Sequence, residues 1–405
     1  MNRLALGAFC NLVATDQQVE FSTKVSACEP DLATRSPTGD TTGRPSTRTD
    51  ATLLASLETI EKAVACLQLS SPQVEGIYPD DAEAHFQEIH QDLSHFVSDV
   101  QVHRWSGYEG PWIENYWIRF SQRWFQRSQG VTLKDLFGPF IPIFVPWVDL
   151  VLQGGYPPGM MEKLKRRMRK TVLYITVSQH DLGIFSSVEP PLLQADMPNL
   201  LVLSSGGNGH VALPLLKQLE QPLQPFPRRY FVSFAGRART HKLRDEMKSI
   251  VEEWSRRTGK EVFVSERMMD WLPLLQNSSL ALVPRGWGRS SFRCSEMLQM
   301  GRVPIYVWDD IPWTFYRELW DMEVIGFSTH ILGLEKLLDH IAELSSEHLQ
   351  MMEKRIRGMR GSHFTYDGVM DQIFRFMTGQ RGGSDLRCVA YPGHPLQVER
   401  KQIVL

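Results

Sequence analysis

The sequence predicts an α/β protein of two domains, and three observations carry that expectation. At 405 residues the chain is too long for one ordinary hydrophobic core, so two domains of roughly 150–200 residues are expected. With 42% hydrophobic and 22% charged residues it has the balance of a globular protein. From Tyr230 onward, short apolar runs alternate with glycine-containing loops and amphipathic helical stretches. That alternation marks a parallel sheet, whose ligands bind at the carboxyl ends of the strands.

Taken in order, residues 28–50 are rich in Pro, Gly, Ser, Thr and charge and bury little, so residues 1–50 read as a poorly ordered segment. The opening MNRLALGAFCNLVATD, with one Arg and an apolar run interrupted at Asn11, reads as a disordered start rather than a signal sequence. The first domain is placed at 51–222. Apolar residues recur at helical spacing over 51–68 and 81–100, and an aromatic helix spans 112–127. A proline-broken strand or tight loop is read at 141–146. A basic helix end, KRRMRK, leads into a buried strand at 171–177, and another strand lies at 200–203. The proline-rich stretch 219–229 separates the halves. The second domain, 223–345, reads as strands at 230–234, 261–264, 280–283 and 303–307, with helices over 242–257 and 271–277 and from Ser291 to Met300. Helical periodicity continues over 334–358 and 369–377, residues 346–380 are expected to pack back on the domains, and 381–405 form a tail.

Several function classes are excluded or disfavoured. A formal charge of −2 asks for no nucleic acid as partner. The five cysteines are scattered with no CxxC pair, so a zinc knuckle or disulfide scaffold is not expected, and a disulfide or two is expected only if the chain is secreted. No stretch is long and apolar enough to span a membrane, and no metal site is read.

The strongest local pattern is VPRGWGRSSFRCSEMLQMG, residues 283–301. A strand ends at Pro284, Gly286 and Gly288 permit close approach to the backbone, and a helix begins near Ser291 with its free N–H groups facing the loop. Arg285, Arg289 and Arg293 surround that end, the arrangement expected around phosphates. Arg293 and Glu296 share a helix face, and Glu296 is placed to accept hydrogen bonds from adjacent ribose hydroxyls. A capped helix with a surface ion pair is the plainer alternative. The spacing is neither a Walker loop nor a dinucleotide fingerprint. FAGR, residues 234–237, gives a second glycine-and-arginine strand end, with Arg237 and then Arg244 in reach of a phosphate.

In the first half, SQHD ends one strand and GGNGH follows the next. Asp181 or His180 is a candidate base for an attacking hydroxyl, and His210 a candidate to close the site from the opposite domain. Either histidine also fits a purely structural role. Tyr108 and Glu114, among aromatics in GYEGPWIENYW, suit a sugar; they suit equally an aromatic core helix with Glu114 in its first turn. Asp309 and Asp310 follow the strand VPIYVW as cleft residues or turn formers. No DxD motif is found in this region, which weakens a metal-dependent transfer.

At VPRGWGRSSFRCSEMLQMGRVPIYVWDDIPW, and again at FVSFAGRART, PWIENYWI, YITVSQHDLGI and LVLSSGGNGHVALPLLK, the chain resembles the exostosin-like glycosyltransferases (GT47) of the plant and algal type, over about residues 100–378. The resemblance implies a GT-B-like α/β fold: two Rossmann-like domains with parallel sheets facing a central cleft. It also implies inverting transfer from a nucleotide sugar, usually a UDP-sugar, to a glycan or glycoprotein acceptor, with no cofactor and no metal. It assigns the pyrophosphate to Arg237, Arg285 and Arg293, the ribose to Glu296 and helix-start donors to Ser290 and Ser291; the base is read from the residues as Asp181, then Glu114, then His180. It allows a homo- or hetero-dimer and implies the Golgi or secretory pathway, with membrane contact only through an N-terminal anchor that the sequence does not show. Two alternatives stand beside it: a GT-B enzyme with another donor such as GDP-fucose, and an inactive carbohydrate-binding or scaffold protein.

Overall fold

A computed structural model of the chain describes residues 47–69, 78–97, 111–127, 130–185, 194–217, 228–266, 271–380 and 383–389. The expected N-terminal disorder, Tyr108 and the proline-rich stretch between the halves lie wholly or mostly outside them. The first half opens with helices α1 (Thr47–Leu67), α2 (Ala82–Val97), α3 (Ile113–Arg127) and α4 (Leu133–Phe137). Strand β1 (Phe140–Pro142) is followed by helices α5 (Trp147–Leu152) and α6 (Met160–Arg167), then strands β2 (Leu173–Ser178), β3 (Leu200–Ser204) and β4 (Val211–Ala212). These strands form a parallel sheet in the order β1-β2-β3-β4. Every residue of β2 and β3 is buried, which is why they read as unbroken apolar runs rather than as alternation.

The second half alternates regularly. Strand β5 (Tyr230–Ala235), helix α7 (Leu243–Thr258), strand β6 (Val262–Ser265), helix α8 (Trp271–Gln276), strand β7 (Ser278–Pro284), helix α9 (Phe292–Gln299) and strand β8 (Val303–Trp308) follow in turn. Helix α10 (Arg317–Asp321) and strand β9 (Phe327–His330) complete it. The sheet is wholly parallel, ordered β6-β5-β7-β8-β9. Helix α7 shows how the sequence writes such an element. Leu243, Met247, Val251 and Trp254 line one buried face, and Gly259, at φ 71°, ends it in the left-handed conformation that glycine adopts without strain.

The helical periodicity read over 334–358 is two helices, α11 (Leu334–Glu343) and α12 (Ser346–His363). The break follows from the backbone: Leu344 is extended, and the Ser345 hydroxyl accepts from His348 N at 3.2 Å, starting a new helix. Helix α13 (Tyr366–Thr378) returns to the first half, where Phe374 stacks on Trp124 and Tyr366 Oη donates to the Pro111 carbonyl at 2.9 Å. A buried cluster fastens the second half to α12: Glu353 accepts from Arg228 at 2.7 Å and from Arg302 at 3.0 Å.

The cysteine spacing concealed one feature. Cys66 on α1 and Cys388 near the end of the described chain form a disulfide across 322 residues. Around it the segment 384–389 is pinned to both halves. Arg387 Nε donates to Glu318 at 2.8 Å, and Val389 N donates to the His210 carbonyl at 2.8 Å.

Candidate functional site

The second sheet has a reversal in its strand order. From β5 the chain crosses through α7 to β6 on one side, then through α8 to β7 on the other. Ligands of open α/β sheets bind in the crevice outside the carboxyl ends at such a point. Here those ends are Ala235-Gly236-Arg237 and Pro284-Arg285-Gly286, the two arginine-bearing turns singled out in the sequence.

Arg244, from the first turn of α7, joins the turns: its Nη1 donates to the Arg237 carbonyl at 3.0 Å, and its Nε and Nη2 donate to the Arg285 carbonyl at 3.2 and 3.1 Å. Burial, with Arg293 close by, lowers Arg244 to about 10, which leaves it charged at neutral pH. Arg285 is largely buried and held by Asp309 at 2.9 Å and Asp310 at 3.1 Å. Arg293, in the first turn of α9, sits over the Trp271 ring with its Cζ 3.9 Å from the ring centre, and it pairs with Glu296 at 3.0 Å. Glu296 is also approached at 3.9 Å by Lys217, a residue of the first half. Ser290 is buried and Ser291 caps α9 in position, but the Ser291 hydroxyl makes no capping bond to its own helix. Arg237 is exposed and has no carboxylate within ion-pairing distance among the described residues.

The carboxyl edges of the two sheets meet. A methyl group at Gly288 would collide with the Gly206 carbonyl and would lie 3.1 Å from Asp181 Cβ. Gly207, at φ 122°, similarly has no room for a side chain against the Arg289 backbone. Arg289 ties the edges together: it donates to Asp310 at 2.8 Å within its own half, and to the Gly207 carbonyl at 3.1 Å and Asn208 Oδ1 at 2.6 Å across the gap. Beneath the loop, Tyr306 Oη donates to the Arg289 carbonyl at 2.5 Å. Asp310 is partly buried, which opposes its charge, yet Arg289 and Arg285 hold its carboxyl below the usual range.

Asp181 therefore stands beside the arginine loop. Burial raises its carboxyl and the neighbouring His180 opposes that rise; burial lowers His180, opposed by Asp181. The Asp181 carbonyl accepts from the Asn208 side chain, and His180 Nδ1 lies 3.3 Å from the Gly183 carbonyl. Glu114 and His210 are placed differently, each enclosed in the first half at 0% and 4% exposure. Glu114 accepts from Val148 N and from Gln179 N, both at 3.0 Å, and burial raises its carboxyl to about 8. His210 Nδ1 accepts from Val202 N at 2.9 Å, and burial lowers it to about 3, so the ring is neutral. Both are bound to backbone and steady the strand ends that carry Asp181 and Gly206.

Lys217 and Trp271 carry no local signal in the sequence that would mark them for this site, and Asn208 carries one only as part of the GGNGH turn. Arg289 carries one only through its place among the loop arginines, which does not name its partners. Among the described residues no group of three or more His, Cys, Asp or Glu is arranged to hold a metal ion, and no helix is long and apolar enough to cross a membrane.

No protein-family model matches the chain, and no curated protein matches it in sequence. Solved structures align with it loosely. The crystal structure of TarM gives a TM-score of 0.35 at 11% identity, covering 54% of this chain and 53% of TarM. The GtfA/B complex gives 0.32 at 10% identity, covering 55% of this chain and 56% of that one. MurG of Acinetobacter baumannii gives 0.29 at 10% identity, covering 56% and 72%. The matched part is thus about half the length of TarM and of the GtfA/B chain. All three TM-scores lie below 0.4, and the α/β architecture with two parallel sheets rests on the chain's own strand order.

Proposed function

We propose that this chain is an inverting glycosyltransferase of the exostosin kind, moving a sugar from a UDP-sugar to a glycan or glycoprotein acceptor without a metal ion. One observation carries the reading: at the reversal of strand order Arg244 binds the backbone carbonyls of Arg237 and Arg285, the turns that end β5 and β7, with Arg293 of the first turn of α9 close by. Guanidiniums and helix-start N–H groups at such a point suit a diphosphate. In this reading Arg237, Arg285 and Arg293 hold the pyrophosphate, Ser290 and Ser291 add donors, and Glu296 takes the ribose hydroxyls between Arg293 and Lys217.

Asp181 is the base. The acceptor oxygen attacks the anomeric carbon and its proton passes to the Asp181 carboxylate. The bond to the nucleoside diphosphate breaks with its electron pair, and the arginines stabilise the leaving group. A carboxyl raised by burial is a better match to a proton transfer near neutrality than an ordinary aspartate. Glu114 supports the strand end rather than takes the proton, since it is fully enclosed, and His180 is the remaining candidate base after Asp181. The reading places the chain in the Golgi or secretory lumen, and the Cys66–Cys388 disulfide fits an oxidising compartment.

Calorimetric titration with UDP, and transfer assays with UDP-sugars, test the assignments together. Arg293→Ala should weaken UDP binding roughly 10- to 100-fold, the value of a charge-assisted hydrogen bond. Asp181→Asn should leave UDP binding intact and abolish transfer. Unchanged UDP affinity in a folded Arg293 variant would remove the donor site, and unchanged turnover in Asp181→Asn would remove the base.

A further inference from the structure

Arg293 is held by two contacts that differ in kind. Glu296 pairs with it at 3.0 Å through opposite charge, whereas the Trp271 ring lies under its Cζ at 3.9 Å and carries no charge. Trp271 opens α8, and that helix buries Leu274 and Leu275. The indole is half-buried and packs on a guanidinium from the first turn of α9, a helix that follows the next strand in the chain.

The neighbours explain why an uncharged seat matters here. Arg293 is close enough to Arg244 to help lower its guanidinium, so the two cations repel each other. Arg244 is pinned to the Arg237 and Arg285 carbonyls and does not give way. Glu296 is shared: Lys217 approaches it at 3.9 Å, and in the reading above it also accepts from ribose hydroxyls. A second carboxylate beneath Arg293 would hold it but would also repel a diphosphate. The negative face of an indole attracts a cation and brings no net charge to oppose the phosphates.

We propose that Trp271 is the positioning residue for Arg293, its indole keeping the guanidinium at the nucleotide's diphosphate while Glu296 engages the ribose. This role rests on the donor site proposed above and adds to it a residue from the crossover between β6 and β7.

The test is a double-mutant cycle read by calorimetric titration of the full chain with UDP, the fold of each variant being checked by its thermal midpoint. Trp271→Leu, which keeps apolar bulk but removes the ring, should weaken UDP binding roughly 3- to 10-fold, the value of a cation–π contact. Trp271→Phe, which keeps a weaker ring, should fall between wild type and Trp271→Leu. In the Arg293→Ala background neither substitution should cost more than about twofold, because no guanidinium is left to position. If Trp271→Leu does not fold, the cycle is run with Trp271→Phe. The role is overturned if the losses at the two positions simply add, as they would if the ring held the base or only the fold, or if removing the ring leaves UDP affinity unchanged. A wild type that binds no UDP, or an Arg293→Ala variant that binds it unchanged, would remove the donor site and this role with it. Additive losses in a protein that does bind UDP would remove the role alone.

Discussion

Glu114 shows how burial decides what a carboxyl does. From the sequence it suited a sugar and a core helix equally. In the fold both of its oxygens accept backbone N–H groups, from Val148 and Gln179, which joins the first turn of α5 to the residue after β2. Glu114→Gln keeps the shape but turns an amide N–H₂ toward one of those donors, so it should destabilise the protein by about 1–3 kcal/mol in chemical denaturation. The same residue gives a pH dependence. An unfolded glutamate loses its proton near 4.5, whereas burial holds the folded one to about 8. Over that window the unfolded chain binds fewer protons, so stability should fall as pH rises from about 4.5 to about 8. The slope should be shallower in Glu114→Gln; an identical slope would mean that Glu114 is ionised in the folded state.

Among the elements, the turn after β7 was the most legible, because glycines, serines and arginines crowd into nine residues. Strands β4 and β9 were not read. β4 has two residues, and β9 buries only Phe327 fully, so neither leaves a periodic trace. The role of Gly288 was only half visible: close approach was expected, but its neighbour is the Gly206 carbonyl of the other half. Gly288→Ala should therefore destabilise by about 1–3 kcal/mol, as overpacking does. Gly358, inside α12, has open space where a Cβ would stand, and Gly358→Ala should stabilise by about 0.5–1 kcal/mol. Thermal unfolding of the two variants should move in opposite directions; a shift of the same sign would show that the loop can part from Gly206 freely.

Over the whole molecule, two devices hold the halves in register. Arg289 bridges the facing sheet edges, and the segment 384–389 reaches both halves, locked by Cys66–Cys388. Cross-linking residues so far apart restricts the unfolded chain strongly, and a native disulfide typically contributes about 2–4 kcal/mol. Cys388→Ser should lower the thermal midpoint as much as reduction lowers that of wild type, and reduction should have no further effect on the variant. If reduction leaves wild type unchanged, the bond does not form in the folded protein.

The linear order of residues was enough for the α/β class, the parallel character of the second half and the arginine loop, because each depends on neighbours within a few turns of chain. Trp271 under Arg293, Lys217 beside Glu296, Asn208 on Arg289 and the cysteine pair were settled only by folding. Each joins residues 22 or more apart, and no local period records which distant side chain a guanidinium, a carboxylate or a thiol will meet.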